Sequence, residues 1–419
     1  MKARPFLLIA FVVLAACQTY DFEPVKPLAA TQYSAELELK AAPLPPNIMI
    51  LLDKSDSMNT MIKGKEGRDV DGNLVAACSP TVCKPYNTTN PHACGPQCST
   101  RINELRHAMK KFLDGSHKIS DKDPRPLGKF GLTLFPIDKG CAASQKEEVP
   151  FAASDSDDAL RNKINETRDF IFDKLYNAVG HTPIIGGTPT GDSLRFLLAN
   201  AARLGLADED RSSFILLLTD GLPNCNRVVA NGGCPSTNDC VCTLSTNQGQ
   251  CVNKTNECAS NVGPGGELVG SVGCLDNFST VKTIEELNAR KIKTIVIGFG
   301  VDDLAGIDTA TVLNAMARAG GFADTYYPAE NQEELLAVLA KIREDLVPEP
   351  CVFNLQNAVS DPSLISVYVE DKRVTPGNNS YSYDVDKKAI VFVGDLCEQL
   401  KKSTHVNPVP LRITVLETL

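Results

Sequence analysis

Four short apolar runs, each about the length of one β-strand, constrain the fold of this chain more than any other feature of its sequence. The runs occupy residues 47–53, 130–135, 214–218 and 294–299. They are continuous rather than alternating, which is typical of strands that are buried on both faces of a parallel sheet.

Segments with helical periodicity lie between and after these runs. They occupy residues 101–113, 158–179, 192–204, 280–290, 309–319 and 332–346. Strands and helices thus alternate over about 300 residues. This alternation predicts an α/β fold with a doubly wound, mostly parallel sheet flanked by helices.

Two stretches interrupt the alternation, at about 59–99 and about 223–275. Both are rich in Gly, Asn, Thr, Pro and Cys, so we interpret them as disulfide-rich surface insertions in one domain that spans residues 47–347. Within the first insertion, residues 69–73 could be taken for a calcium loop. They lack the Gly and the distal Glu of an EF-hand, and a hairpin turn around Asp71 and Gly72 is the favoured interpretation.

The pattern changes after Pro350. Short strand-like segments follow, joined by turns, at residues 364–370, 380–383, 389–393 and 411–416. We therefore predict a small β domain at residues 351–419. A domain of about 70 residues buries only a thin core, so a disulfide between Cys351 and Cys397 would contribute to its stability.

Cysteine usage favours an oxidising compartment. The chain has 15 cysteines, and setting aside Cys17, which is discussed below, leaves an even number. These fall into a group of four (78, 83, 94 and 98), a single residue (141), a group of seven (225 to 274) and a pair (351 and 397). If each group pairs within itself, the seven need one outside partner. We therefore predict a bridge from Cys141 to the 225–274 cluster and another between Cys351 and Cys397.

The first four cysteines have a second interpretation, a zinc site, because His92 lies among them. Structural zinc sites usually show paired Cys-x2-Cys spacings. Here the gaps are 4, 10 and 3 residues, so disulfide pairing is the favoured prediction.

The first 17 residues have the pattern of an export signal. Lys2 and Arg4 precede an apolar run at 6–16, which is too short to span a bilayer. The run ends in Leu-Ala-Ala before Cys17, and this resembles the lipobox of bacterial lipoproteins. The resemblance implies cleavage before Cys17 and acylation of that residue. It also implies that the protein is anchored in the outer rather than the inner membrane, because residue 18 is Gln and not Asp. An ordinary signal peptide that contains a cysteine is the alternative.

Removing residues 1–16 takes away two positive charges from a chain whose formal net charge is already −9. Such an acidic surface argues against nucleic acid or anionic lipid as a partner. No other segment has 18 uncharged apolar residues, so the lipid at Cys17 would be the only membrane anchor. The proline-rich remainder of residues 17–46 would then be a tether.

Three segments rich in oxygen donors lie at the ends of predicted elements. Residues 53–57 read Asp-Lys-Ser-Asp-Ser after the first strand, residues 186–191 read Gly-Gly-Thr-Pro-Thr-Gly before a helix, and residues 219–221 read Thr-Asp-Gly at the end of a strand. In a doubly wound sheet, ligands bind beyond the carboxyl ends of the strands, so these loops can converge. Carboxylates and hydroxyls are hard donors that suit Mg²⁺ or Mn²⁺.

In this order, the three segments resemble the metal-ion-dependent adhesion site of von Willebrand factor type A domains, which integrin inserted domains also carry. The resemblance covers about residues 47–347. It implies that Ser55 and Ser57 bind the metal directly, that Thr188 does so in a high-affinity state, and that Asp53 and Asp220 act mainly through bound water. The cation would be Mg²⁺, or else Mn²⁺ or Ca²⁺.

Hydroxyl ligands carry no charge, so a metal held in this way keeps much of its positive charge. The best ligand for its open position is an Asp or Glu carboxylate of a partner protein. We therefore expect adhesion or protein binding at a bacterial envelope rather than catalysis. Two details stay open. Asp56 stands where the family commonly has Gly; it either raises the affinity for the cation and weakens that for an acidic partner or, as we favour, points to solvent. Thr190 could replace Thr188 as the metal ligand.

Two other functions are alternatives. A metal-dependent hydrolase is disfavoured because the chain has neither a His-Glu-x-x-His nor a Gly-x-Ser-x-Gly motif, although His181 lies close enough in sequence to act as a local helper. A structural envelope protein would instead bind through its Cys-rich insertions, independently of metal. In that case Thr188 would only cap a helix, and Asp220 would only belong to a turn.

Overall fold

The computed structural model describes residues 33–40, 44–79, 95–121, 124–138, 140–177, 180–208, 211–225, 275–301, 308–346, 351–355, 359, 361–401 and 409–417. The predicted signal peptide at 1–16, the lipidation site Cys17 and most of the second insertion lie outside these described residues.

The strands, in chain order, are β1 Tyr33–Lys40, β2 Asn47–Asp53, β3 Lys129–Phe135, β4 Ser213–Thr219, β5 Ile292–Phe299, β6 Tyr327–Ala329, β7 Val352–Asn354, β8 Ile365–Val369, β9 Lys372–Val374, β10 Tyr381–Asp384, β11 Ala389–Phe392 and β12 Pro410–Glu417. The α-helices are α1 Arg101–Gly115, α2 Asp157–Asp169, α3 Thr190–Ala199, α4 Asn277–Ala289, α5 Thr309–Gly320, α6 Gln332–Leu346 and α7 Gly394–Lys401. A π-helical turn at Phe170–Lys174 follows α2, and short 3-10 helices lie at Asp56–Asn59 and Pro362–Leu364.

A five-stranded sheet in the order β3-β2-β4-β5-β6 forms the centre of the first domain. All four neighbouring pairs are parallel. The chain first moves from β2 to β3 and then crosses back to β4 on the other side of β2. This reversal makes a topological switch point between the carboxyl ends of β2 and β4, where doubly wound sheets bind ligands.

Helices cover both faces of this sheet. Ile50 and Leu52 of β2 pack with residues of α1, α2 and α6 on one face, whereas Met49 and Leu51 pack with residues of α3, α4 and α5 on the other. Every residue of β2 is buried, which explains why its sequence is continuously apolar. The predicted α/β fold class, with a parallel sheet flanked by helices, is confirmed.

The helix predicted at 158–179 is shorter in the structure, because α2 gives way to the π-helical turn at 170–174. Nε of Arg106, from α1, lies 3.3 Å from the carbonyl oxygen of Ile171 and 3.1 Å from that of Phe172. These carbonyls are thus satisfied without a further helical turn. Ile171 remains in the core, so the apolar periodicity extends beyond the regular helix.

The C-terminal part forms two small antiparallel sheets, in the orders β1-β12-β8-β9 and β10-β11-β7. Its β class agrees with the prediction, but two features differ. Helix α7 lies between β11 and β12. Strand β1 pairs with β12 over eight residues, from Tyr33 opposite Glu417 to Lys40 opposite Pro410. Residues 33–40 therefore belong to a sheet and not to the tether, and their sequence alternates apolar and polar residues as an antiparallel strand does.

Three disulfides lie among the described residues. Cys141 bonds Cys225, which is the predicted link to the 225–274 cluster, and the predicted Cys351–Cys397 bridge is also present. A third bridge joins residues 78 and 98. It uses two of the four thiols that a zinc site in the first insertion would need, so the zinc alternative is wrong.

The first insertion contains the predicted turn. Gly72 has a φ of +85°, its N–H donates to the carbonyl oxygen of Asp69, and Arg68 and Leu74 form an antiparallel bridge on either side. Oδ1 of Asp69 accepts the N–H groups of Asp71 and Asn73. The turn therefore uses that carboxylate itself, in agreement with a hairpin rather than a calcium loop.

Across the described residues, no helix combines the length and the apolar character that crossing a bilayer requires.

Candidate metal centre

The two predicted aspartates meet at the switch point of the parallel sheet. Asp53 is the last residue of β2, and Asp220 directly follows β4, which is the neighbour of β2. Both carboxylates are buried, with relative exposures of 0% and 2% for the two residues. Although they are far apart in sequence, the register of β2 and β4 brings their loops together.

A continuous series of hydrogen bonds joins the predicted ligands of the first and third loops. The N–H of Ser55 donates to Oδ1 of Asp53 at 2.8 Å. The hydroxyls of Ser55 and Ser57 lie 3.0 Å apart, and the Ser57 hydroxyl donates to Oδ1 of Asp220 at 2.8 Å. Four of the five predicted metal ligands are thus assembled around one place.

The fifth predicted ligand, Thr188, is brought to this place by its loop. The N–H of Asp56 donates to the carbonyl oxygen of Gly186 at 3.0 Å, and the N–H of Ile185 donates to that of Lys54 at 2.9 Å. These two bonds fasten the 185–188 segment to the 53–57 loop. Thr188 itself is 5% exposed.

Thr188 and Thr190 differ in their relation to helix α3. Pro189 is the N-cap of α3 and makes no side-chain cap bond, so Thr188 does not cap that helix. Thr190 is the first residue of α3, and its hydroxyl points back to the carbonyl oxygen of Thr188 at 3.4 Å. The interpretation of Thr188 as a simple helix cap is therefore wrong.

Arg101 is a member of the site that the motif does not include. Its Nη1 lies 2.9 Å from Oδ2 of Asp220, and the two side chains are 7% and 0% exposed. Arg101 is the first residue of α1, where the helix dipole disfavours a positive charge. This unfavourable position is the only signal in the sequence that the arginine has a specific partner.

Two further residues hold the ligands in place. The hydroxyl of Thr219 donates to Oδ2 of Asp53 at 2.7 Å, which occupies the carboxylate oxygen that Ser55 does not use. Oδ1 of Asn224 accepts the N–H of Thr188 at 2.6 Å. The Thr-Asp-Gly segment contains Thr219 but indicates no role for it, and Asn224 carries no sequence signal.

The buried carboxylates repel each other. Burial, and then the charge of Asp220, raise the pKa of Asp53 to about 7. Burial also raises the pKa of Asp220, although the guanidinium of Arg101 opposes the shift. Each carboxylate is therefore costly to ionise in this place, and a cation beside them would offset that cost.

The donor set fits a hard divalent cation. Among the described residues, no three His, Cys, Asp or Glu side chains are grouped so that they could hold a metal. At the switch point the donors are two carboxylates and the hydroxyls of Ser55 and Ser57, all of them oxygens, and Thr188 lies on the adjoining loop. Oxygen donors suit Mg²⁺, Mn²⁺ or Ca²⁺.

The structure also describes Asp56 and His181, which the sequence analysis considered. Asp56 is exposed, in agreement with the favoured interpretation that it points to solvent. Nε2 of His181 lies 2.7 Å from the phenol oxygen of Tyr176, and the two rings are 4.2 Å apart at their centroids. The His181 ring thus forms a hydrogen bond with the Tyr176 hydroxyl and packs against the Tyr176 ring.

Fold and site together define a class: a doubly wound α/β domain with an oxygen-lined, buried carboxylate pair at its switch point. No family model and no curated protein matches the chain. Solved structures do show similarity.

One is the pilus adhesin SpaC from Lactobacillus rhamnosus GG, with 14% identity and a TM-score of 0.42 over 89% of this chain and 39% of that one. A second is proximal thread matrix protein 1 from the mussel byssus, with 14% identity and a TM-score of 0.35 over 74% of this chain and 49% of that one. A third is the vWF domain of the type V pili tip protein Mfa5 from Porphyromonas gingivalis, with 11% identity and a TM-score of 0.36 over 72% of this chain and 95% of that one. The chain spans less than half the length of the first two. Identities and TM-scores are low, so the fold class rests on the strand order and pairing described above.

Proposed function

We propose that this chain is a lipid-anchored envelope protein that binds a partner protein through a divalent cation, in a site of the von Willebrand factor type A kind. The observation that carries the proposal is the hydrogen-bonded series from Asp53 through Ser55 and Ser57 to Asp220 at the switch point. Thr188 lies on the adjoining loop.

Ser55, Ser57 and Thr188 would contact the cation through their hydroxyls, and Asp53 and Asp220 would lie behind them. When bound, the cation supplies an electrophilic centre with an open coordination position. The Ser57 hydroxyl donates its proton to Asp220 and lies 3.0 Å from the Ser55 hydroxyl, so its lone pairs could turn toward the cation. Thr219 and Arg101 keep the carboxylates oriented.

Charge balance favours an acidic partner. Asp53 and Asp220 bring two negative charges, and Arg101 cancels one of them at 2.9 Å. A divalent cation in this centre is therefore not neutralised by the protein, so an Asp or Glu carboxylate from outside gains an attractive interaction in a partly buried place. The exposed carboxylate of Asp56 would weaken this attraction, but solvent screens it.

The cellular setting is proposed from the sequence. Acylation at Cys17 would hold the protein at the envelope, most simply at the outer membrane, and would keep the metal centre in an oxidising compartment where the Cys141–Cys225 and Cys351–Cys397 bridges persist. A binding role is preferred to hydrolysis because the chain has neither a His-Glu-x-x-His nor a Gly-x-Ser-x-Gly motif.

Mg²⁺ titration of the full-length protein tests the proposal. We expect Ser57→Ala to lower the affinity for Mg²⁺ by roughly 10-fold or more, because it removes a neutral ligand without changing the charge. Ser154→Ala is a matched control: Ser154 is also exposed, and its hydroxyl lies 3.2 Å from that of Ser156, remote from the switch point in sequence.

Binding of a partner is tested by a pull-down from envelope extract. With Mg²⁺ we expect a protein to be retained by the wild type and by Ser154→Ala, and to be lost with EDTA or with Ser57→Ala. Retention that survives both EDTA and Ser57→Ala would contradict the proposal and favour binding through the Cys-rich insertions. Hydrolytic activity that needs both metal and His181 would favour an enzyme.

A further inference from the structure

Two segments that are far apart in the chain form hydrogen bonds with the backbone of the Thr188 loop. On one side, the N–H of Gly187 donates to the carbonyl oxygen of Gly140 at 3.0 Å. On the other, Oδ1 of Asn224 accepts the N–H of Thr188 at 2.6 Å, and the N–H of Asn224 donates to the carbonyl oxygen of Thr188 at 3.0 Å. Consecutive amides of the loop are thus held by residues that are far apart in the chain.

The fit on the Gly140 side leaves no room for a side chain. Gly186 has a φ of +92°, and a Cβ there would lie 2.5 Å from the carbonyl oxygen of Asp138 and 2.9 Å from that of Gly140. The loop therefore lies directly against the backbone carbonyls of Asp138 and Gly140, and a displacement of these carbonyls would displace the loop.

A disulfide joins these two segments, because the residue after Gly140 and the residue after Asn224 are both cysteines. Cys141 comes directly after Gly140, Cys225 comes directly after Asn224, and the two are bonded with their Cα atoms 5.6 Å apart. Cys225 is 1% exposed and has a φ of +69°, a left-handed conformation that is unfavourable for a residue with a side chain. Such a conformation persists only where the surroundings impose it.

We propose that the Cys141–Cys225 disulfide and Asn224 are positioning groups for the metal ligand Thr188. The inference rests on the proposed metal function. The disulfide keeps the two segments together, and through their hydrogen bonds the Thr188 loop stays fixed against the 53–57 loop. Without it, the 53–57 loop keeps its own bonds to Asp220, but the Thr188 loop gains freedom and the cation loses one of its ligands.

The test compares two double variants of the full-length chain. Cys141→Ala/Cys225→Ala removes the bridge at the site, and Cys351→Ala/Cys397→Ala removes the bridge of the C-terminal part as a matched control. In EDTA, we expect amide exchange in residues 183–191 to become faster, roughly 10-fold, in the first variant only. We expect its Mg²⁺ affinity to fall roughly 10-fold as well, the size of effect that supporting residues have at metal sites.

The outcomes separate the two proposals. Unchanged exchange in residues 183–191 would overturn the positioning role. Faster exchange with unchanged Mg²⁺ affinity would overturn it too, while leaving the metal function standing. Absence of Mg²⁺ binding by the wild type would overturn the proposed function and the inference that rests on it.

Asn224 offers a second route if the double variant does not fold. Asn224→Ala removes the acceptor for the Thr188 N–H, whereas Asn224→Asp keeps an oxygen in the same place. We expect faster exchange of the Thr188 amide in the alanine variant and protection close to that of the wild type in the aspartate variant. Equal exchange in both would overturn the positioning role, since a merely structural asparagine would not distinguish them.

Discussion

At the scale of single residues, the centre depends on a balance between two buried acids and one buried base. Asp53 and Asp220 repel each other, and Nη1 of Arg101 contacts Oδ2 of Asp220. The guanidinium competes with a cation for the same carboxylate, yet it also prevents the carboxylates from neutralising that cation. Arg101 therefore reduces cation affinity and increases the charge available to an acidic partner.

Arg101→Met tests this balance. Removing the guanidinium leaves Asp220 buried without its counter-charge, so we expect the metal-free protein to lose on the order of 3 kcal/mol of unfolding free energy. Mg²⁺ should bind more tightly, by roughly 10-fold, because the local charge becomes more negative. Denaturation in EDTA and titration with Mg²⁺ measure the two effects.

The control is Arg168→Met, which removes an arginine that pairs with Asp114 and Asp169 near the surface. Exposed pairs contribute little, so we expect both quantities to stay close to the wild-type values. An Arg101→Met variant whose Mg²⁺ affinity equals that of the wild type would contradict the role assigned to this residue.

At the scale of elements, the two ends of the central sheet do different work. The carboxyl ends of β2 and β4 carry the proposed metal centre, whereas a cluster of ion pairs joins the amino ends. Nη2 of Arg211, just before β4, lies 2.8 Å from Oδ2 of Asp155, and Nζ of Lys129, at the start of β3, lies 2.8 Å from Oδ1 of Asp155. Arg211 also donates to the carbonyl oxygen of Pro45 ahead of β2.

Asp155→Asn should destabilise the fold without affecting the metal centre. Hydrogen bonds from Arg211, and the nearby Lys129, hold the pKa of Asp155 well below its usual range. An aspartate with a lowered pKa in the folded state contributes stability above about pH 4, and this contribution is lost as the pH falls through the folded-state pKa. We expect a loss of about 2 kcal/mol at pH 7.

Urea denaturation at pH 7 and at pH 3 measures this loss. The difference between the variant and the wild type should shrink at the lower pH, because the carboxyl of the unfolded wild type becomes protonated there while the folded carboxylate, with its lowered pKa, stays ionised. A difference that is the same at both pH values would contradict the assignment, and so would a changed Mg²⁺ affinity in the variant.

At the scale of the whole molecule, the order of elements along the chain is not the order in space. Strand β1 precedes the central domain in sequence but pairs with β12, which follows it. Strand β12 lies between β1 and β8 in its sheet. The small β part is therefore completed by a segment that the sequence places at the other end of the chain.

Deleting residues 33–40 should weaken the C-terminal sheet. β12 would become an edge strand with one row of unpaired backbone groups. We expect faster amide exchange in residues 410–417 and unchanged exchange in β2 and β4 of the central sheet. Equal protection of 410–417 with and without residues 33–40 would contradict the pairing of β1 with β12.

Much of the fold follows from local patterns, and the exceptions have physical causes. The runs that form β2 to β5 are continuous because both faces are covered, and their short length and their alternation with helical segments identify them as strands. β6 and β9 have three residues each, too few for any period to show. β1 alternates correctly, but it lies in a proline-rich stretch that favoured a tether.

The convergence of the candidate site residues was predictable to the extent that they stand next to strand ends. Asp53, Ser55, Ser57 and Asp220 belong to loops whose convergence follows from parallel strand order. Arg101 and Asn224 belong to none of the three motif segments and come close to the site only when the chain has folded. No spacing in the sequence therefore reveals them. The signal peptide and the acylation of Cys17 stay predictions.

Anomalous diffraction from a crystal grown with Mn²⁺ tests the central claim most directly. The account predicts a single strong peak at the switch point, within about 2.2 Å of the hydroxyl oxygens of Ser55 and Ser57, with Asp53 and Asp220 close behind. Thr188 should face the same ion. Bound Mn²⁺ located elsewhere in the protein, with none between β2 and β4, would contradict it.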